Sequence, residues 1–246
     1  MNSGADSARQ IALPFAWIRR FDFAAYIAGR NHAAVAALKA LSLGEGGGNI
    51  YLWGRAGTGK SHLLHAVCGA ASARQKNAGY IPLRQIRELS PDLLQGLDSL
   101  DLVCLDDLDQ LAGKPDWERE LFHLFNRMRE AGKALVFASR LGPREISIEL
   151  PDLKTRLAWD LGFLLEPPDD ETLIRALRER AAERGLDLPE EIAQYIMTRC
   201  ARDTHSLFRL LERLDETALE RQKRLTIPLL RELLDRGYDP DARKIP

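Results

Sequence analysis

The sequence is poor in the features that mark several common classes of protein. Only three cysteines occur among 246 residues, and Cys68, Cys104 and Cys200 lie far apart, without the spacing of a zinc site or a CxxC pair. We therefore expect reduced cysteines in the core. Acidic and basic side chains are nearly balanced, 36 against 35, so the composition does not indicate a general polyanion binder. We therefore expect DNA binding to be confined to a local part of the surface, or to be absent.

Long apolar runs and the common signatures of nucleophilic catalysis are also missing. No stretch of about 18 apolar residues occurs, and the first ten residues, Met1 to Gln10, are small and polar rather than basic and then apolar. There is no GxSxG motif and no Cys/His signature. We therefore expect a cytoplasmic protein with no membrane contact, and we do not expect a serine or cysteine nucleophile.

Short apolar runs alternate with longer segments of helical period, which is typical of a parallel sheet flanked by helices. The predicted strands are Ile50–Trp53, Tyr80–Leu83, Leu102–Asp106 and Ala134–Ser139. After Pro167 and Pro168 the pattern becomes entirely helical, with predicted helices near 169–185, 189–201, 204–222 and 226–236. The sequence therefore predicts an α/β layer that ends near residue 165, followed by a small all-α domain.

A complete phosphate-binding motif follows the first predicted strand. The motif GxxxxGK[ST] is formed by Gly54, Arg55, Ala56, Gly57, Thr58, Gly59, Lys60 and Ser61. The glycines let the backbone wrap closely around phosphate oxygens, and the following helix offers unpaired N–H groups and the positive end of its dipole. Lys60 adds a cation, and Ser61 is expected to bind Mg²⁺. The position between a strand and a helix makes this a strong prediction of a P-loop.

Acidic residues end the third predicted strand, which we expect to lie beside the phosphate loop of the first strand. Asp106 is expected to orient the magnesium shell. Asp107 is placed to polarise a water for attack on the γ-phosphate, although it could also be a solvated residue at the end of the strand. Ser139 ends the fourth predicted strand and is either a contact for the γ-phosphate or its water, or an ordinary turn residue.

His62 and His65 share a face of the predicted P-loop helix at a spacing of three. This spacing could in principle bind a metal ion. Packing or solvent contact is the simpler interpretation, because no third ligand is apparent.

Taken together, these segments resemble the AAA+ module of the bacterial replication initiator DnaA. The resemblance runs from about Phe23 to Leu234. Three of its motifs are the P-loop, Val103–Leu108 with Leu111–Gly113, and Arg156 within Lys154–Trp159. The fourth is Phe23 with Tyr26, Gly29 and Asn31, and these residues are similar to the adenine-side N-terminal loop of that family. The initiator continues into a helix-turn-helix domain, whereas few residues follow Leu234. We therefore expect no sequence-specific DNA binding by that route.

The N-terminal segment Gln10-Ile11-Ala12-Leu13-Pro14-Phe15 resembles the short peptide by which bacterial proteins bind the DNA polymerase III sliding clamp. Gln10 can form hydrogen bonds, and Leu13, Pro14 and Phe15 suit an extended peptide that enters an apolar pocket. Alternatively, the segment could be a lead-in strand that packs on its own domain. A clamp peptide joined to a DnaA-like AAA+ module resembles the Hda family of DnaA regulators.

This resemblance implies three regions: an arm at 1–20 with the clamp peptide, an AAA+ nucleotide-binding domain at 21–166 and a helical lid domain at 167–246. It implies ADP or ATP with Mg²⁺ as cofactor, DnaA and the clamp as partners, and a possible homodimer or higher oligomer. The implied function is to stimulate ATP hydrolysis by DnaA, with the ADP form active. By the same resemblance Arg156 is an arginine finger acting in trans; its alternative role is a surface salt bridge.

One position departs from the family pattern. The lid of this family carries an arginine that points at the nucleotide, and His205 aligns there. His205 could still donate to a phosphate, and Arg202 or Arg209 could replace the missing arginine from an adjacent turn.

Two rival functions remain open at the level of the sequence. One is an AAA+ ATPase of the helicase-loader type, which would bind single-stranded DNA or a helicase ring. The other is an initiator paralogue that acts as an adaptor, in which Gln10 to Phe15 is only an N-terminal arm.

Overall fold

A computed structural model describes residues 21–45, 47–159, 161–200, 204–221 and 226–235 of the chain. The strands are β1 (Ile50–Trp53), β2 (Ala78–Pro82), β3 (Leu102–Asp106), β4 (Ala134–Ser139) and β5 (Leu161–Leu164). The helices are α1 (His32–Leu43), α2 (Lys60–Ser72), α3 (Pro115–Glu130), α4 (Pro151–Trp159), α5 (Asp170–Glu183), α6 (Glu190–Arg199), α7 (Thr204–Arg221) and α8 (Ile227–Asp235).

The five strands form one parallel sheet in the order β2-β3-β4-β1-β5. The predicted bounds of β1, β3 and β4 are confirmed, whereas β2 begins two residues earlier than predicted and β5 was missed. β4 lies between β1 and β3, yet Asp106 and Asp107 at the end of β3 are close enough to the phosphate loop to act on the charge of Lys60. All carboxyl ends still meet at one edge of the sheet, since every pairing is parallel.

Apolar side chains cover both faces of the sheet, as expected for a buried parallel sheet. On one face, residues of α3 and α4 pack against alternate positions of the central strands, including Tyr51, Leu105 and Phe137. On the other face, residues of α1 and α2 pack against the intervening positions, such as Leu52 and Cys104. The two faces therefore fix the register of each strand.

Helices α5 to α8, which we call the C-terminal bundle, form a hydrophobic core of their own. The side chains that α7 contributes to it include Leu207, Leu210, Leu211 and Leu214, which recur with helical spacing on one face. The predicted domain limits remain predictions. Within the described part of the chain, no helix combines the length and apolarity needed to span a membrane, and all three cysteines are free thiols.

Glu118 on α3 is an almost fully buried carboxylate, with 1% of its surface exposed. Its Oε1 accepts a hydrogen bond from the Gly113 amide at 2.8 Å. Its Oε2 accepts bonds from the amides of Glu149 at 2.9 Å and Leu150 at 2.8 Å, directly before α4 begins at Pro151. One side chain therefore joins the segment after β3 to the start of α4, and its desolvation is offset by three backbone donors.

The change Glu118→Gln tests this junction. Glutamine has the same shape, but its amide NH₂ would face a backbone N–H, so at least one of the three donors would lose its acceptor. We expect the free energy of unfolding to fall by about 1–3 kcal/mol, measured by urea denaturation. Glu130→Gln, at the exposed end of the same helix, should change stability far less. Equal stability of the two variants would contradict this role for Glu118.

Candidate functional site

The P-loop follows β1 and turns into α2, as the sequence predicted. At two of its glycines a side chain would clash with neighbouring atoms, and the backbone also adopts a positive φ. Gly54 has φ +151, and a Cβ there would lie 2.5 Å from the carbonyl oxygen of Leu165. Gly59 has φ +82, and a Cβ there would lie 2.5 Å from Cε2 of the Tyr26 ring. The loop is therefore closely packed from two sides, and only glycine fits at these positions.

Lys60 points back into the loop. Its Nζ donates to the carbonyl oxygens of Gly54 at 2.7 Å and Arg55 at 2.9 Å. Burial lowers the pKa of Lys60, and the carboxylates of Asp106 and Asp107 oppose this shift. A cation held by loop carbonyls, with carboxylates nearby, is a suitable counter-charge for a phosphate group.

Asp106 ends β3 and is 2% exposed. Both of its carboxylate oxygens are hydrogen-bonded: Oδ2 accepts from the Tyr80 hydroxyl at 2.7 Å, and Oδ1 accepts from the backbone amide of Asp107 at 2.9 Å. Asp107 adopts the left-handed conformation, with φ 56, and its Oδ2 accepts from Nε of the exposed Arg84 at 3.1 Å. The two neighbouring carboxylates are thus directed to different partners.

Ser139 is fully buried at the end of β4. Its hydroxyl donates to Oδ1 of Asp109 at 3.3 Å and accepts from the Leu141 amide at 3.2 Å. Asp109 also accepts two bonds on Oδ2 from the guanidinium of Arg140, at 2.8 and 3.1 Å. Burial acts to raise the pKa of Asp109, but the bonds from Arg140 outweigh it, so the pKa lies below its usual value. Sequence reasoning missed this pair, although Asp109 stands only two residues after Asp107.

The predicted adenine-side loop is hydrogen-bonded to the segment that follows β5. The Asn31 side chain pairs with the backbone of Glu166 through two bonds of 2.8 and 2.9 Å, and its Nδ2 also donates to the Tyr26 hydroxyl at 2.9 Å. That hydroxyl donates to the Thr58 carbonyl oxygen at 3.1 Å. Desolvation raises the pKa of Tyr26 to about 12, so the phenol stays protonated. Tyr26 and Asn31 therefore link the N-terminal loop, the P-loop and β5.

A cavity of about 460 Å³ lies between this N-terminal loop and the C-terminal bundle. Its lining includes Tyr26, Ile27, Gly29, Pro168, Thr172 and Phe208. Charged side chains also line it, among them Arg30, Asp169 and Arg175, so its walls are mixed and more polar than apolar. Of the residues predicted for the adenine side, Tyr26 and Gly29 line this cavity. Asn31 is hydrogen-bonded to the Tyr26 hydroxyl.

Arg156 lies on α4. Its guanidinium carbon is 4.6 Å from the centre of the Phe122 ring and 5.5 Å from that of Phe125. Among the described residues it makes no ion pair, so the alternative role in a salt bridge finds no support there. Trp159, on the same helix, is 76% exposed. The aromatic rings hold the cation in place without neutralising it.

The remaining predicted residues are placed as follows. His62 and His65 pack in an aromatic cluster with Phe21, Tyr26 and Tyr80, and the part of the chain that the structure describes has no group of three His, Cys, Asp or Glu residues suited to a metal ion. His205 belongs to α7, but its side chain lies outside the described residues, as do Arg202 and the peptide from Gln10 to Phe15.

Comparison with known proteins places this fold and site in a family. The model of the bacterial DnaA ATPase domain matches residues 18–163, more than half of the chain. The chain belongs to the bacterial DnaA ATPase family. The model of the Hda lid domain matches residues 169–234, which cover the C-terminal bundle except for its last residue. This DnaA-family protein is therefore Hda-like, with an AAA+ domain followed by a helical lid.

Solved structures agree with the AAA+ fold of this DnaA-family chain. Domain III of Thermotoga maritima DnaA matches with a TM-score of 0.72 and 24% identity, over 88% of this chain and 96% of that one. AMPPCP-bound DnaA from Aquifex aeolicus matches with a TM-score of 0.67 and 24% identity, over 82% and 69%. The RuvB branch migration motor of T. maritima matches with a TM-score of 0.67 and 17% identity, over 91% and 74%.

Proposed function

We propose that this protein is a nucleotide-bound AAA+ regulator that acts on the initiator DnaA. Bound to a DNA-loaded sliding clamp, it would present Arg156 to the ATP of DnaA and stimulate its hydrolysis. Less ATP-bound DnaA would remain, and re-initiation of chromosomal replication would be opposed. Membership of the DnaA ATPase family and the Hda-type lid support a DnaA-related regulator. The effect on DnaA and the role of the clamp belong to this proposal alone.

The proposed cofactor is ADP or ATP, with ADP expected in the active form. The P-loop supplies close backbone approach at Gly54 and Gly59, the N-terminal end of α2 supplies unpaired N–H groups, and Lys60 supplies a cation. The base would enter the cavity beside Tyr26. The related DnaA from A. aeolicus was solved with AMPPCP, which supports the same use of this fold here.

Ser61 and Asp106 would hold the Mg²⁺ of the nucleotide. Both offer oxygen atoms, which Mg²⁺ prefers, and Mg²⁺ usually binds one or two carboxylates together with substrate phosphates. Asp106 accepts a hydrogen bond from the Tyr80 hydroxyl, and Ser61 lies close to the same tyrosine, which supports one shared location. When bound, the ion would offset phosphate charge. Asp107, at the rim with Arg84, remains the residue proposed to polarise a water.

The observation that supports the trans mechanism most is the environment of Arg156. A guanidinium that serves another subunit must be held in position and must keep its charge. Stacking on Phe122 and Phe125 holds it, and no carboxylate among the described residues competes for it. The Glu118 junction fixes the start of the same helix, and the exposed Trp159 provides apolar surface for a neighbour.

Lys60→Ala should empty the nucleotide site. The ammonium group and the P-loop amides together offset the charge of the β-phosphate, so we expect the wild type to retain an adenine nucleotide on purification and the variant to lose it. Release of nucleotide followed by mass spectrometry measures this. Lys76→Ala, beyond the far end of α2, serves as a control and should retain nucleotide. Equal ADP occupancy in Lys60→Ala and wild type would refute the P-loop assignment.

Leu13→Ala combined with Phe15→Ala should abolish binding to the sliding clamp. Two apolar anchors dominate a short peptide of this kind, and their truncation removes about 2 kcal/mol or more each when they fill a pocket. Surface plasmon resonance with immobilised clamp measures the loss. Ile18→Ala, outside the peptide, should bind like wild type, and all variants should keep their nucleotide. Undiminished affinity of the double variant would place the clamp contact elsewhere.

Arg156→Ala should leave the protein folded, nucleotide-loaded and clamp-bound, yet unable to accelerate ATP hydrolysis by DnaA. Arginine fingers stabilise charge that develops as the γ-phosphate leaves, and they contribute about 10³- to 10⁵-fold in rate in other systems. Arg156→Lys should restore little, because the planar fork is lost. The measurement is DnaA ATP turnover with and without this protein and DNA-loaded clamp.

Lys154→Ala is a matched control for that experiment, because it removes a positive charge from the same helix. It should retain the stimulation of DnaA. If Arg156→Ala stimulated DnaA at the wild-type rate on loaded clamps, the trans mechanism would need another donor. If wild type itself had no effect on DnaA, the proposed function would fail as a whole.

A further inference from the structure

The Tyr80 hydroxyl lies beside both residues proposed for the magnesium ion. It donates to Oδ2 of Asp106 at 2.7 Å, and the Ser61 side chain lies close to the same tyrosine. Ser61 begins the P-loop helix and Asp106 ends β3, whereas Tyr80 comes from β2 at the edge of the sheet. One side chain thus connects three elements of the site.

The Tyr80 ring is held so that its hydroxyl cannot easily leave this position. Its backbone pairs with Cys104 in the parallel ladder of β2 and β3. The ring lies against His65 of the P-loop helix, with 3.9 Å between ring centres and 30° between planes. His65 in turn stacks on Phe21 at 5.1 Å. The contacts among these three rings restrain the Tyr80 side chain on the side of the sheet that α2 covers.

Tyr80 acts on Asp106 as a permanent donor. A tyrosine hydroxyl carries its proton at neutral pH, and at 2.7 Å from Oδ2 it donates a hydrogen bond to that carboxylate oxygen. Oδ1 of Asp106 is already held by the Asp107 amide, and a bond on Oδ2 therefore fixes rotation of the carboxylate. Each oxygen still has a second lone pair that is available to water or a cation.

We propose that Tyr80 is a positioning residue for the divalent cation of the nucleotide site. It orients the Asp106 carboxylate, one of the two proposed ligands, before the cation arrives. Hydrogen-bond partners that orient metal ligands commonly contribute about 10- to 100-fold to metal affinity. This inference rests on the proposed nucleotide and magnesium site, and it does not depend on DnaA or on the clamp.

The change Tyr80→Phe removes the hydroxyl and retains the ring stacked on His65. The full-length protein, freed of nucleotide, is titrated with a fluorescent ADP analogue in EDTA and then with MgCl₂ at fixed analogue concentration. In EDTA we expect the same affinity as wild type, because the P-loop is unchanged. With MgCl₂ we expect the midpoint of the magnesium-dependent tightening to move to about tenfold higher concentration.

Tyr51→Phe is the matched control. It also removes a buried tyrosine hydroxyl, which donates to the Leu141 carbonyl oxygen at 3.0 Å, but Tyr51 belongs to the core on the opposite face of the sheet. Its magnesium midpoint should equal that of wild type. Thermal denaturation of both variants in EDTA separates a loss of stability from a loss of metal affinity.

The outcomes distinguish this inference from the proposed function. A wild-type magnesium midpoint in Tyr80→Phe, or a tighter one, would overturn the role of Tyr80 and leave the proposed function standing. Loss of ADP binding in EDTA would also overturn it, because the hydroxyl would then support the phosphate loop rather than the cation. No magnesium effect in wild type would overturn both the magnesium site and the role of Tyr80.

Discussion

The close packing of the P-loop against the segment that leaves β5 is the constraint on which the site depends. Gly54 touches the Leu165 carbonyl so closely that a methyl group has no room. The next residue, Glu166, is paired through its backbone with the Asn31 side chain, and Asn31 holds Tyr26 over the second half of the loop. Each contact limits the next, so the loop is enclosed by groups distant in sequence. A loop restrained in this way loses little conformational entropy when a phosphate binds.

The sequence predicted the elements whose signal is local. β1, β3 and β4 are continuous apolar runs with clear limits, and their bounds were confirmed. β2 begins at Ala78 and Gly79, which have low strand propensity, so its start was placed too late. β5, residues Leu161–Leu164, follows α4 without a marked turn, and its side chains are largely exposed, so it lacked the signature of a buried strand. The position of β4 between β1 and β3 is a long-range pairing that no local pattern encodes.

The residues of the candidate site also divide into those with a local sequence signal and those positioned by long-range contacts. The P-loop and Asp106 could be found because their residues are contiguous or end a strand. Tyr80 could not, because its partner Asp106 is 26 residues away and a tyrosine within an apolar strand is normal core. The contact of Asn31 with Glu166 spans 135 residues, and Asn31 sits at the usual position of a helix N-cap, where a local role would be expected. Its side chain bonds a distant backbone instead, and only the folded chain reveals this.

Arg140 and Arg156 differ in how their positive charge is held. This difference bears on whether each charge is used within its own chain or is available to a partner. Arg140 follows β4 and is held by a two-point bond to the nearly buried Asp109. Its charge is therefore offset inside its own subunit, where it also contributes to the field at Lys60. Arg156 has aromatic rings in place of a carboxylate. A cation held by apolar faces keeps most of its field for a group that approaches from outside, which favours Arg156 over Arg140 for the role that we propose toward a neighbouring nucleotide.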